Sequence, residues 1–161
     1  MIDIIWGGSD NPELNLNLAL WCGEQIWPGT GETFGRCTTM GVLLNGELIG
    51  VVVFHNWQRE AGVIEFSGAA TNKRWLTRRV LHAMFDYIFE IPGLQMAITR
   101  TSEKLTHLRM LQAYGFRQYA IPRLYGREEA GIIHTLTVED WRHNKFERKR
   151  NGLEKRCSTA A

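Results

Sequence analysis

A strand–turn–strand pattern constrains the fold of this chain more than any other stretch. Two apolar runs, residues 40–44 and 48–54, are separated by Asn45-Gly46. An Asn-Gly pair between apolar runs is the strongest short signal for a β-hairpin, because both residues tolerate the positive φ of a tight turn. Three consecutive valines, residues 51–53, break any alternation of polar and apolar positions and predict a strand covered on both faces.

The other elements follow from apolar spacing and capping residues. Three helices are predicted, over residues 13–27, 77–90 and 103–114. Four more strands are predicted, over residues 63–70, 94–101, 116–119 and 131–138. Asn11-Pro12 begins the first helix and Thr77 caps the second, while Thr137 with Asp140 indicates a capping box before a short last helix. This order predicts an α/β (α+β) protein, a mixed sheet with helices packed against it.

Length and composition fit one domain with a core of its own. The chain has 161 residues, 44% of them apolar, and no apolar run reaches the roughly 18 residues that a membrane helix needs. Its first residues show no targeting pattern. An odd number of widely spaced cysteines favours reduced thiols in the cytosol. We therefore expect a cytoplasmic protein without membrane contact, with one domain over residues 1–146 and a basic, flexible tail over 147–161.

A cationic corner lies between the predicted strand 63–70 and the predicted helix 77–90. Within it, residues 73–79 read KRWLTRR and place four cationic side chains in seven positions. A helix start presents unpaired N–H groups and the positive end of a dipole, and both attract phosphate. Arginine can add two parallel hydrogen bonds to phosphate oxygens. The corner therefore predicts an anion site, with a solvated basic helix start as the alternative.

Three stretches resemble the GNAT family of acyl-CoA-dependent N-acyltransferases. They are GVLLNGELIGVVVFHNW, VIEFSGAATNKRWLTRRVLHAMFDYIF and AITRTSEKLTHLRMLQAYGF, which together span about residues 40–120. They are similar to the family's central hairpin, its pyrophosphate-binding strand–loop–helix, and its strand–helix ending in Gly-Phe. The likeness is greatest to small virus-encoded members and to the ribosomal-protein acetyltransferase branch. It implies a GNAT-like mixed central sheet flanked by helices, and acetyl-CoA as the acyl donor.

The resemblance also implies which residues bind the cofactor. They are Asn72, Lys73, Arg74, Trp75, Leu76, Thr77, Arg78 and Arg79 at the corner, with Ser102 and Lys104 after the next strand. The sequence departs from the family at several of its usual positions. Trp75 and Thr77 stand where the family has small residues, and Leu111 stands where it often has a tyrosine acid. A non-catalytic protein of this fold, such as a virion component, is therefore the alternative to an enzyme.

Acyl transfer to an amine needs a base for the amine and an acid for the leaving thiolate. Glu65 is the predicted base, because it lies between two apolar neighbours in the strand before the cationic corner, where the resemblance implies such a residue. A glutamate that faces outward is the alternative. Tyr114, beside the Gly-Phe pair, is the predicted acid, with a core tyrosine as the alternative. Residues 27–34 (WPGTGETF) correspond to the family's acceptor-side loop.

Histidines and the basic tail leave further functions open. His55 is a candidate substrate-site group or a surface residue, and no histidine or cysteine has metal-ligand spacing, so we predict no metal. The basic tail KFERKRNGLEKRCSTAA is either a frayed terminus or an arm on nucleic acid. Three hypotheses follow: an N-acetyltransferase acting on a primary amine, a non-catalytic GNAT-fold protein, and a nucleic-acid-directed modifier or binder.

Overall fold

The computed structural model describes residues 1–105 and 108–159, without the side chains of 108 and 153–159. The predicted helix over 103–114 and the predicted tail thus fall partly outside the described residues. The chain divides into two compact units, Met1–Leu94 and Gln95–Ala161. The single domain over residues 1–146 stays a prediction. Among the described residues, no helix combines the length and apolar character needed to cross a membrane.

The first unit, which is described throughout, contains an antiparallel sheet of four strands and two helices. Its elements are β1 (Ile2–Gly7), α1 (Pro12–Ile26), β2 (Cys37–Leu44), β3 (Glu47–Gln58), β4 (Val63–Ala70) and α2 (Arg78–Glu90). Each strand pairs with the next one along the chain. Asn45 and Gly46 have φ values of 52° and 86°, which confirms the predicted hairpin turn. Strand β1 is not predicted from the sequence.

Helices α1 and α2 cover opposite faces of this sheet. On one face, Val51 and Val53 pack in a core cluster with Leu18 and Cys22 of α1. On the other face, the Phe54 ring lies 4.7 Å from the ring of Tyr87 in α2, centroid to centroid. Because neighbouring residues of a strand point to opposite faces, the valine run is buried from both sides. The predicted two-sided burial is confirmed.

The second unit contains three strands and three helices within its described part. Its elements are β5 (Met96–Ser102), α3 (Leu108–Tyr114), β6 (Arg117–Ile121), β7 (Gly131–Thr137), α4 (Val138–His143) and α5 (Lys145–Thr159). Strand β7 lies between β5 and β6 and is antiparallel to both. The Thr137 hydroxyl accepts a hydrogen bond from the Asp140 N–H at 3.1 Å, which confirms the predicted helix start.

Helix α5 covers most of the segment 147–161, for which the sequence predicts a flexible basic tail, and its flexibility stays a prediction. The predicted boundary between residues 146 and 147 lies within the helix, which runs on to Thr159. The Asn144 side chain begins this helix, since its Oδ1 accepts the N–H groups of Phe146 and Glu147 at 2.9 Å each. Glu147 is buried and lies 2.6 Å from Arg150. The basic segment thus begins as a helix that is capped at Asn144.

Candidate functional site

The cationic corner, residues 72–79, is anchored by Trp75 on the sheet. A methyl group placed on Gly50 of β3 would lie 2.8 Å from Cε3 of this indole, and one on Gly68 of β4 would lie 3.6 Å from its Cη2. Both glycines share the face of Phe54 and Phe66, which α2 covers, because strand residues two apart point the same way. Because Gly50 and Gly68 have no side chains, they leave a flat surface on the sheet, here called the glycine seat, on which the Trp75 ring packs.

Tight hydrogen-bonded turns shape the corner without any glycine in it. The Asn72 Oδ1 accepts from the Arg74 N–H at 2.9 Å. The Trp75 N–H donates to the Asn72 carbonyl at 3.2 Å, and the Thr77 N–H to the Trp75 carbonyl at 3.1 Å. No residue from 72 to 79 has a positive φ. The small residues that the family uses at this place are therefore not needed to make this turn.

Thr77 is the N-cap of α2, as the sequence predicts. Its hydroxyl oxygen accepts from the Val80 N–H at 3.3 Å, and its carbonyl accepts from the Leu81 N–H at 2.9 Å. The hydroxyl hydrogen can still be donated to an anion. The positive end of the α2 dipole lies here, where it attracts negative charge.

The four cations of the corner differ in what they do. Lys73, Arg74 and Arg78 are exposed beside the start of α2. Arg79 is exposed too, but its Nη1 donates to the Ile2 carbonyl at 2.7 Å and so holds β1. Arg79 therefore has a structural task at the sheet edge. Lys73, Arg74 and Arg78 add positive charge at the start of α2, where an anion would be attracted.

A polar cluster, here called the Glu65 cluster, lies on the opposite face of the same sheet, the face of α1. It comprises Glu65 and Ser67 of β4 with His55 and Asn56 of β3. His55 pairs directly with Glu65 across the strands, and its Nε2 lies 2.9 Å from the Ser67 hydroxyl. The Asn56 amide donates to the Glu65 carboxylate at 3.2 Å. An acyl donor whose phosphates bind at the corner would therefore have to extend past β4 to contact the Glu65 cluster.

Glu65 is only 5% exposed, so the alternative of an outward-facing glutamate is excluded. The Glu65 cluster lies on the same sheet face as the core cluster that Val51 and Val53 form with α1. A buried carboxylate held by an amide donor can accept a proton from a substrate nitrogen brought into contact with it. The catalytic role of Glu65 stays a prediction.

The predicted acceptor-side loop, residues 27–34, packs beside the Glu65 cluster. The Phe34 ring lies 5.0 Å from the His55 ring and 5.2 Å from the Trp27 ring, between centroids. The Glu24 carboxylate accepts the Gly29 N–H, and a methyl group on Gly23 would collide with the Glu32 carbonyl. The loop is therefore held tightly against the end of α1, with aromatic rings next to the polar groups.

In the second unit, Ser102 and Lys104 are held by a carboxylate that sequence reasoning missed. The Lys104 ammonium lies 2.8 Å from Glu129, whose other oxygen accepts from the Ser102 hydroxyl. These bonds lower the pKa of Glu129 and raise the pKa of Lys104. No local signal points to Glu129, because the contact joins distant parts of the chain. An anion at Ser102 and Lys104 would have to compete with this carboxylate.

Tyr114, the predicted acid, lies in the core of the second unit. Its side chain is 1% exposed, and its ring centroid lies 5.5 Å from that of Phe146 and 6.4 Å from that of Phe116. These contacts are those of the core tyrosine that the sequence left as the alternative. Its role as an acid stays a prediction.

A buried histidine on β7 is a second feature that the sequence does not reveal. The Nε2 of His134 lies 2.9 Å from the Thr101 hydroxyl, and its Nδ1 lies 3.3 Å from the Gln118 amide nitrogen. Burial lowers the pKa of this imidazole, because desolvation disfavours the charged form. His134 therefore joins the central strand to both of its neighbours as a neutral group.

The described thiols are poor nucleophiles. Burial raises the pKa of Cys22 to about 12 and also raises the pKa of Cys37. The thiolate is the reactive form, so both stay protonated near neutrality. The Cys157 side chain lies outside the described residues. Among those that are described, no three histidine, cysteine or acidic side chains are grouped as a metal site.

Among known proteins, this chain is similar to solved structures by its fold. No protein-family model matches the sequence, and no curated protein is significantly similar to it. Solved structures do match. The ribosomal-protein-S18-alanine N-acetyltransferase from Escherichia coli has a TM-score of 0.65 and 17% identity, over 86% of this chain and 94% of that one.

Two further solved structures are similar to this chain. The protein yncA from Salmonella typhimurium, solved with its cofactor acetyl-CoA, has a TM-score of 0.62 and 14% identity, over 85% of this chain and 94% of its own. The ribosomal-protein-S5-alanine acetyltransferase from Vibrio fischeri has a TM-score of 0.56 and 17% identity, over 65% of this chain. This chain spans 63% of the length of that enzyme. These likenesses confirm the predicted GNAT-like mixed α/β fold.

Proposed function

We propose that this protein is an N-acetyltransferase that moves an acetyl group from acetyl-CoA to a primary amine. The observation that carries the proposal is the buried Glu65 carboxylate beside the aromatic acceptor-side loop. The fold supports it, since the similar solved structures include acetyltransferases and one was solved with acetyl-CoA. The cationic corner supports it independently, because it suits a diphosphate.

The residues of the corner fit the phosphates of acetyl-CoA. Lys73, Arg74 and Arg78 would neutralise them, and the Thr77 hydroxyl would donate one hydrogen bond. Trp75 lies on the glycine seat of the sheet, so its indole is directed onto β3 and β4. Cofactor binding by Ser102 and Lys104 stays a prediction from the resemblance. When bound, acetyl-CoA supplies an acetyl group activated as a thioester.

In the proposed mechanism the Glu65 cluster prepares the amine. Glu65 accepts a proton from the ammonium of the acceptor, directly or through one water, so that the nitrogen lone pair becomes nucleophilic. The Asn56 amide fixes one carboxylate oxygen, and the hydrogen bond between His55 and Ser67 fixes the neighbouring polar groups. The nitrogen–carbon bond forms, the carbon–sulfur bond breaks, and the thiolate takes up a proton. Tyr114 stays the sequence-based prediction for the source of that proton.

Glu65→Gln tests this role while keeping the side-chain shape. We expect the turnover number to fall by roughly 10²–10⁴-fold, the usual contribution of a positioned base, with little change in KM for acetyl-CoA. The assay is thiol release from acetyl-CoA with a panel of primary amines, followed from pH 6 to 10. Glu60→Gln, an exposed glutamate in the turn after β3, is the matched control and should behave as wild type.

Two results would contradict the proposal. An unchanged turnover and pH–rate profile in Glu65→Gln would remove Glu65 from the mechanism. Tight acetyl-CoA binding without thiol release for any amine would favour the non-catalytic GNAT-fold protein, which the unusual Trp75 and Thr77 also favour. The nucleic-acid hypothesis stays a prediction, which a gel shift at several salt concentrations would test. The resemblance to viral members and the cytoplasmic location also stay predictions.

A further inference from the structure

Helix α1 carries apolar side chains on two opposite faces, and only one of these faces packs on the sheet. Leu18 and Cys22 belong to the core cluster that this helix forms with β3. Leu16, which is 53% exposed, and Leu20 lie on the outer face. The outer face of a surface helix is usually polar, and contiguous apolar side chains on a surface mark a place where a partner binds. The outer face of α1 is therefore a candidate interaction surface.

The exposed side chains of this face form a continuous line, here called the α1 stripe. Residues three and four apart are neighbours on a helix, so the stripe runs through Glu13, Leu16, Leu20, Glu24 and Trp27. All five residues are exposed. With a rise of about 1.5 Å per residue, the stripe is about 21 Å long. Two leucines thus lie between two carboxylates, and an indole ends the line.

The α1 stripe continues into the proposed acceptor site. Its last residue, Trp27, is also the first residue of the predicted acceptor-side loop. The Trp27 ring lies 5.2 Å from the Phe34 ring, which lies 5.0 Å from the ring of His55 in the Glu65 cluster, between centroids. A row of rings thus connects the stripe to the carboxylate proposed as the base. A molecule bound along the stripe would have one end beside Glu65.

The charge of this region favours a cationic partner. The first 35 residues contain five acidic residues and no lysine, arginine or histidine. Two copies of the stripe facing each other across a two-fold axis would bring carboxylates together, which disfavours a dimer through this face. The same charge repels the phosphates of nucleic acids and of anionic lipids. A chain with both basic and apolar side chains complements the carboxylates and the leucines.

We propose that the acceptor is a polypeptide whose basic and apolar segment binds the α1 stripe. This inference rests on the proposed acetyl transfer and adds the class of the acceptor. An extended peptide advances about 3.3 Å per residue, so about six residues would cover the stripe and about three more would reach the Glu65 cluster. A small amine would contact Glu65 and leave the stripe uncovered.

A ten-residue peptide of designed sequence is the probe. It begins with a free alanine amine, its last six residues alternate leucine with arginine, and a dye at its carboxyl end reports binding by fluorescence anisotropy. Arginine supplies the charge because, unlike lysine, it adds no second primary amine. The comparison acceptors are the same peptide with glutamate for arginine, and alanine amide. In thiol release from acetyl-CoA, we expect KM for the basic peptide to be at least tenfold lower than for either comparison acceptor.

A double Glu13→Gln, Leu16→Gln variant removes one charge and one apolar side chain from the stripe and leaves the Glu65 cluster intact. We expect the Kd and the KM of the basic peptide to rise at least fivefold, with KM for alanine amide and for acetyl-CoA unchanged. A double Glu128→Gln, Met110→Gln variant makes the same chemical change on exposed side chains of the second unit. This control should behave as wild type.

The polypeptide acceptor is overturned if the basic peptide does not bind, if the glutamate peptide binds equally well, or if the stripe variant binds as the control does. Turnover of alanine amide together with any of these results would leave the proposed acetyl transfer standing. Binding that depends on the stripe, without thiol release for any amine, would contradict acetyl transfer and support the stripe as a peptide-binding surface alone. Self-association that the stripe variant abolishes would overturn the polypeptide and assign the face to a second copy of this chain.

Discussion

Alanine at Gly50 tests whether Trp75 fixes the cationic corner. The new methyl group would lie 2.8 Å from Cε3, 3.1 Å from Cδ2 and 3.3 Å from Cβ of Trp75. Carbon atoms pack best at about 3.5–4.0 Å, so the indole would have to move by about 0.7 Å or the strand would have to shift. The Trp75 ring is half-buried between the corner and the sheet, so it cannot move without the corner.

The expected cost is that of an overpacked site, about 1–3 kcal/mol of unfolding free energy. Gly68→Ala is the matched control, because its methyl group would lie 3.5 Å from the Val51 carbonyl and 3.6 Å from Trp75, which are ordinary contacts. Glycine weakens a strand by about 0.5–1 kcal/mol relative to alanine, so the control should be neutral or slightly stabilising. Gly50→Ala should therefore destabilise the chain, whereas Gly68→Ala should not.

Urea unfolding followed by circular dichroism measures both variants, alone and in a Trp75→Ala background. Without the indole, Gly50→Ala should lose its cost, which gives a coupling energy of at least about 1 kcal/mol. Acetyl-CoA should also bind Gly50→Ala more weakly than Gly68→Ala. Trp75 does not fix the corner if Gly50→Ala costs no more unfolding free energy than Gly68→Ala, or if that cost remains after the removal of Trp75.

Two other predictions concern pH and the acceptor-side loop. The pKa of His134 is lowered in the folded chain, so the unfolded chain binds more protons below about pH 6.5. The free energy of unfolding should therefore fall as the pH drops from about 6.5 toward the lowered pKa of the folded chain. The slope should be at most about 1.4 kcal/mol per pH unit. His134→Gln should remove that part of the slope in urea titrations at several pH values, and an unchanged slope would speak against it. Gly23→Ala should push the loop off α1 at Glu32 and raise KM for the amine more than KM for acetyl-CoA; equal changes would contradict the role given to the loop.

Local signals in the sequence predict much of the fold. The turn at Asn45 and Gly46, and the helix starts at Thr77 and Thr137, depend on neighbouring residues only, and the structure has all of them. Strand β1 is missed because it is defined by its pairing with β2, which lies far along the chain. Helix α5 is missed because the high charge of its segment is typical of a terminal tail, and that prediction does not consider the capping residue Asn144.

The candidate site is less predictable, because its key contacts join distant residues. The seat of Trp75 requires glycines on two strands, and only the folded sheet brings Gly50 and Gly68 under one ring. The pairing of Lys104 with Glu129 likewise joins separate loops. The burial of Glu65 is predictable from its apolar neighbours. The hydrogen bond from Asn56 to Glu65 is not, because Asn56 has a positive φ that the sequence does not predict.

Titration of the purified chain with acetyl-CoA tests the central claim most directly, since every proposed step needs the donor bound. We predict saturable heat with one donor per chain, and at least tenfold weaker binding in a double Arg74→Gln, Arg78→Gln variant. A double Arg123→Gln, Arg127→Gln variant, which removes the same charge from an exposed turn of the second unit, should bind as wild type does. The absence of binding at millimolar acetyl-CoA would contradict the proposed acetyltransferase activity, and only the similarity of fold would remain.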